Sequence, residues 1–150
     1  MGLNDEIIKA AKIVSEDLQK KNITHALCGG LAVEFYGYSR VTRDIDFVIG
    51  DDGLEPCPDG GEQLKPDIVR VHGIKVDYLV RRAFEVNKER LDGIPVVTLR
   101  SLVLIKLLAG RDQDIHDVAE LLKLGKIDND MPIPDDCAEV WMVIQELANK

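Results

Sequence analysis

The chain has little cysteine. Cys28, Cys57 and Cys137 make an odd count with no Cys-x-x-Cys pair. That speaks against a disulfide framework and points to reduced thiols in a cytoplasmic setting. Long apolar runs are missing too. The longest, Leu102 to Ala109, is broken by Lys106 and is far too short to span a bilayer. Positive charge is in deficit: 19 Lys+Arg against 27 Asp+Glu leave a net of −8. Such a balance argues against a broad footprint on duplex DNA or anionic lipid and fits a cationic partner, yet it leaves room for a local basic pocket. No two histidines fall at metal-ligand spacing, so a zinc site is not expected. His72 reads as a turn residue, His116 as solvated and His25 as structural. No Ser-His-Asp or Cys-His signature occurs in a suitable context. Cys28 reads as a buried strand-end thiol. Internal repeats and low-complexity tracts are absent.

What is present suffices for one core. At 150 residues, with 45% hydrophobic and 31% charged positions, the chain reads as one domain over 1–150. A first helix, capped by Asn4, carries Ile7, Ala11, Val14 and Leu18 on one face and closes at Lys20-Lys21-Asn22. A buried strand spans Ile23 to Cys28, and a short helix spans Leu31 to Tyr36. A core strand follows at Asp44 to Ile49. The stretch Asp51 to Gly61 reads as a mobile loop. Two strands, Ile68 to Val71 and Ile74 to Val80, flank a His72-Gly73 hairpin turn. Three helices come next: Leu99 to Ala109, capped by Thr98 and stopped by Gly110; one opened by Asp112 and stopped by Gly125; and one from about Asp135 to Asn149. Trp141, Val140, Val143, Ile144 and Leu147 are expected to pack that last helix onto the core. The expected fold class is α+β (α/β), a mixed sheet flanked by helices, with a catalytic core over about 1–97 and a helical part over about 98–150.

The chemistry concentrates in Cys28-Gly29-Gly30 and Asp44-Ile45-Asp46-Phe47. Residues two apart on a strand face the same way, so Asp44 and Asp46 present paired carboxylates. Like charges that close are costly unless a cation lies between them. Hard oxygen ligands suit Mg²⁺ or Mn²⁺. Alternatively, the two acids are simply solvated or cap a helix. Gly29-Gly30 lies where a strand turns into a helix, so backbone N–H groups there could meet a phosphate; many such pairs are plain turns. Asp77 is an acid inside an apolar strand, with Lys75 on its own face; the two could instead form a surface pair. Lys106, between Ile105 and Leu107, either snorkels to water or meets an anion. Arg111 could bind an anion or pair with Asp114 or Asp117. Arg40, Thr42 and Arg43 lead into the acidic strand, and Arg43 could equally join a neighbouring acid.

Taken together, the Gly-Gly turn, the Asp-x-Asp strand and a third Asp on a later strand resemble the DNA polymerase β-like nucleotidyltransferase superfamily. The core of the match runs from about Ala26 to Val80. A further stretch, Lys106 to Asp117, resembles the Lys…Arg-x-Lys-Asp-x-x-Asp helix pair of its small bacterial branch, the AbiE-type toxins and some antibiotic nucleotidyltransferases. Gln113 stands where a lysine is often found, and Gly30 where the wider superfamily has serine. The resemblance implies that Asp44, Asp46 and Asp77 hold two divalent ions (Mg²⁺ or Mn²⁺) and are catalytic. It also implies that Gly29, Gly30, Arg40, Thr42, Arg43, Lys106 and Arg111 contact a nucleoside triphosphate such as ATP. The expected reaction moves an NMP to a hydroxyl acceptor, with pyrophosphate leaving. That acceptor is a small molecule, a tRNA end or a protein. A homodimer or an antitoxin-like partner could complete the site. The alternative is a silent nucleotide-binding or protein-interaction module of the same fold.

Overall fold

The computed structural model describes residues 5–50 and 58–150. Helix α1 (Asp5–Lys20) has Asp5 and Glu6 in its first turn and Lys20 in its last, both suited to the helix dipole. Its expected face is buried at Ile7, Ala11, Val14 and Leu18, with Ala10. The helix closes on a left-handed Asn22 (φ 58°), and the Ile23 N–H reaches back to the Leu18 carbonyl at 2.9 Å. Its expected cap, Asn4, lies outside the described residues, as do Cys57 and most of the loop read at 51–61.

Strand β1 (His25–Leu27) leads into α2 (Gly30–Phe35), followed by β2 (Ile45–Ile49), β3 (Glu62–Lys65), β4 (Ile68–Val71), β5 (Ile74–Val80), β6 (Val86–Leu91) and β7 (Ile94–Val97). They form one seven-stranded sheet in the order β3-β4-β5-β2-β1-β7-β6. β2 runs parallel to β5 and antiparallel to β1; β1 runs parallel to β7. The edge strands differ from the centre. β3 is exposed at every position, β6 carries Lys88, Glu89 and Arg90, and the pairing of each is interrupted by a register shift.

Three strands, β3, β6 and β7, exceed the sequence expectation. β6 and β7 are joined by Asp92-Gly93, both at positive φ, the backbone of a two-residue hairpin turn. His72-Gly73 adopts the same backbone (φ 52° and 77°), as expected. The mixed α+β class holds.

Helix α3 (Leu99–Ala109) starts on Thr98, whose hydroxyl accepts the Ser101 N–H, and stops at left-handed Gly110. Helix α4 (Asp112–Lys123) packs against α3 and α5 (Ala138–Ala148). A 3-10 turn at Asp135–Cys137 precedes α5, so that helix starts later than expected. Trp141 and Ile144 are buried, but Val143 and Leu147 stay largely outside. Trp141, Ile144 and the partly buried Ala148, spaced three and then four apart, face inward and leave those two on the outer side. His25 is structural: its Nδ1 faces the Ile23 carbonyl and its Nε2 the Ser15 hydroxyl, and burial pushes its pKa down. A neutral ring with the proton on Nδ1 satisfies both contacts. Among the described residues, no helix is long and apolar enough to cross a membrane.

Candidate active site

Strand register assembles the acids. Asp46 lies abreast of Asp77 across the parallel β2–β5 pair, and Ile45 abreast of Val76. The preceding step therefore sets Asp44 beside Lys75. With side chains alternating along each strand, these four residues share one face of the sheet. Lys75 Nζ stands 3.7 Å from Asp44 Oδ2 and 3.6 Å from Asp77 Oδ2. Its sequence relation to Asp77 was visible; its bridge to Asp44 comes from the register. The Asp46 carboxyl is pushed up to about 6, first by burial and then by Asp77, with Lys106 opposing and Asp44 adding.

The glycine turn follows from this strand. β1 is antiparallel to β2, and the Cys28 N–H donates to the Asp46 carbonyl at 3.0 Å. Gly29 is thereby pressed against Asp46, so that a Cβ would land on the carboxylate. A Cβ on Gly30 would come within 2.7 Å of Thr42 Oγ1. Both positions demand glycine for room alone, before any phosphate is considered. The Thr42 hydroxyl is buried without a hydrogen-bond partner among the described residues. Cys28 is a buried thiol whose pKa is raised, chiefly by burial, so it is inert as a nucleophile.

A second charged group lies opposite. Lys106 is only 5% exposed, yet its ammonium sits 3.1 Å from Asp114 and 3.0 Å from Asp117. Asp117 is fully buried and also takes a two-pronged contact from Arg40 (2.8 and 2.9 Å) and a hydrogen bond from Gln113 (2.8 Å). Asp114 accepts from Arg111 through both its backbone N–H and its guanidinium. Burial pushes the Asp114 carboxyl up, but the Arg111 and Lys106 contacts outweigh it and hold it below the usual range. The anions that Lys106 and Arg40 meet are thus the protein's own. Asp114 is the Arg111 partner that the sequence offered; its contact with Lys106, and those of Asp117 with Lys106 and Arg40, were not read. The three-residue spacing of Asp114 and Asp117 on α4 was the available signal.

The ten expected site residues, Gly29, Gly30, Arg40, Thr42, Arg43, Asp44, Asp46, Asp77, Lys106 and Arg111, all line one cavity of about 810 Å³. Asp46 and Asp77 come from β2 and β5, with Asp44 just before β2, whereas Lys106 comes from α3 and Arg111 from the start of α4. Among the described residues, no group of three or more His, Cys, Asp or Glu is drawn together as a ready-made metal cage. The donor set nevertheless fits a hard divalent ion, because it consists of carboxylate oxygens and an ammonium already stands in as the cation between two of them.

The chain has a nucleotidyltransferase-like fold. It is similar to an antigenic nucleotidyltransferase-like protein from Paracoccidioides brasiliensis, with a TM-score of 0.62 and 15% identity, over 93% of this chain and 87% of that one. It is also similar to ANT(2")-Ia, solved in complex with adenylyl-2"-tobramycin, with a TM-score of 0.54 and 11% identity, over 94% and 98% of the two chains. No family model matches the chain, and a comparison with curated proteins returns no match. At these identities the likeness is one of fold.

Proposed function

We propose that the chain is a nucleotidyltransferase of the polymerase β-like type. It takes an NMP from a nucleoside triphosphate to a hydroxyl acceptor and releases pyrophosphate. The observation that carries this reading is the register pair Asp46–Asp77, with Asp44 alongside, facing a cavity whose other wall is cationic. Asp44, Asp46 and Asp77 would hold Mg²⁺ or Mn²⁺, two ions in all, and these would acidify the acceptor hydroxyl and neutralise charge on the transferred phosphoryl group. Asp77 would also accept the hydroxyl proton. Gly29, Gly30, Thr42 and Arg43 line the cavity that the nucleotide would enter. Lys106 and Arg111, aimed by Asp114 and Asp117, supply positive charge for the polyphosphate and for the departing pyrophosphate. Arg40 lines the same cavity and fixes Asp117.

The acceptor we favour is a small, cationic, hydroxylated compound. The net charge of −8 suits it, and a fold neighbour was solved with adenylyl-2"-tobramycin. A cationic protein partner of the toxin–antitoxin kind is the next candidate, and a second copy of the chain could complete the acceptor site. The test is pyrophosphate release from labelled ATP, GTP, CTP and UTP with Mg²⁺ and an acceptor mixture. Mass spectrometry would identify the product. Nucleotide binding without turnover on a broad acceptor panel would favour a silent binding module instead.

A further inference from the structure

The cavity's acidic wall already contains a cation. Lys75 reaches Asp44 and Asp77 from a strand position two before Asp77, on the same face of the sheet. Its contacts of 3.6 and 3.7 Å are longer than the 2.7–2.9 Å of a hydrogen-bonded ion pair, so the attraction is mainly Coulombic and weakly locked in geometry. The side chain is 44% exposed. A long, half-exposed lysine stem can swing into solvent at little cost in packing. Its cross-strand neighbour, Arg70, is occupied with Glu62 at 3.2 Å. Among the described residues, the carboxylates within ion-pair reach of Lys75 are Asp44 and Asp77.

We propose that Lys75 is a built-in competitor for divalent metal: its ammonium fills the space between Asp44 and Asp77 in the metal-free protein and withdraws when an ion binds, so that it sets how much metal the site needs. The proposal rests on the metal-binding reading above. An ammonium left in place would repel an incoming dication at close range, so binding must include its displacement. The lysine also offsets carboxylate repulsion while the site is empty. One residue thereby protects the folded metal-free state and lowers metal affinity.

The experiment is Mn²⁺ titration by calorimetry at low ionic strength, without nucleotide, on the full chain and on Lys75→Met, Lys75→Arg and Asp46→Asn. Lys75→Met keeps the stem and removes the charge. It should bind Mn²⁺ about three- to tenfold more tightly, since tenfold is about 1.4 kcal/mol and a half-exposed charge is partly screened. Lys75→Arg should stay near the unaltered chain. Thermal melts give a second readout: Mn²⁺ should raise the midpoint of Lys75→Met more than that of the unaltered chain. Equal or weaker binding by Lys75→Met, with Asp46→Asn abolishing the signal of the unaltered chain, overturns the competitor role and leaves the metal reading intact. Binding to neither the unaltered chain nor Lys75→Met overturns both. Should Lys75→Met not fold, the Lys75 Nζ resonance is followed during Mg²⁺ titration; a resonance unmoved at saturation overturns the proposal.

Discussion

On the sheet side of the cavity, Asp44 and Asp77 share the single ammonium of Lys75, and Asp46 lies abreast of Asp77 without an ion pair of its own among the described residues. On the other, Asp114 and Asp117 are met by Lys106, Arg40 and Arg111. The acid wall has three carboxylates for one cation; the basic wall has three cations for two carboxylates. The basic wall is also the buried one, with Lys106, Asp114 and Asp117 nearly or fully enclosed and in direct contact. Buried charges survive only when partnered, so that wall is part of what holds α3, α4 and the chain near Arg40 together. The acid wall is more open and under-compensated, and the raised Asp46 carboxyl registers the imbalance. Stability and reactivity are therefore expected to separate along the two walls.

The largest effect that would break this division is at Asp117. Asp117→Ala leaves Lys106 and Arg40 without their shared partner and should cost about 3–5 kcal/mol in urea unfolding. A cost below about 1 kcal/mol would make the network dispensable. Asp46→Asn should do the converse. Metal-dependent transfer should fall at least about a hundredfold, some 2.7 kcal/mol in barrier, while metal-free stability holds or rises. Steady-state pyrophosphate release and a thermal melt on one sample check both halves. Retention of full activity would remove the acid wall from the chemistry.

A pH profile sharpens the contrast without mutation. An aspartate ordinarily ionises near 4, and Asp46 near 6, so the folded chain holds that proton more tightly than the unfolded one. The Asp46 contribution to stability in chelator should be full below about pH 4, decline by about 2 kcal/mol towards pH 6 and level off above; Asp114, held low, contributes in the opposite sense and loses its share as pH falls. Asp46→Asn should flatten that decline; an unchanged profile would mean that the titrating group lies elsewhere. Gly29→Ala is the smallest change. Its methyl collides with the Asp46 carboxylate and should cost about 1–2 kcal/mol, less in the background of Asp46→Ala. Additive costs in that double-mutant cycle would show that the two residues do not share their space.

Much of the fold was legible where pattern and chemistry agreed. β2 and β5 are apolar strands with isolated acids, and α3 begins on Thr98 and ends on Gly110, as local rules dictate. β6 was hidden because Asn87-Lys88-Glu89-Arg90 shows no alternation; it is a strand by pairing with β7, and Asp92-Gly93 was the unread signal. β7 was masked by Pro95, although all four of its residues are buried. β3 is wholly exposed and owes its form to β4. Within the site, residue types and the local pairs Lys75–Asp77 and Arg111–Asp114 were readable, but the long-range partnerships were not. Arg40 and Asp117 lie 77 positions apart, and the Lys75–Asp44 contact exists only through the β2–β5 register.

The two end strands bear on how molecules of this chain can meet. β3 offers Glu62 and Lys65, β6 a run of charges, and both have irregular pairing. Charged, interrupted borders are poor templates for another strand, so concentrated solutions should resist cross-chain sheet growth and fibre formation. Any self-assembly then falls to the outer surfaces of the helices, where Leu108 and Met142 stand exposed.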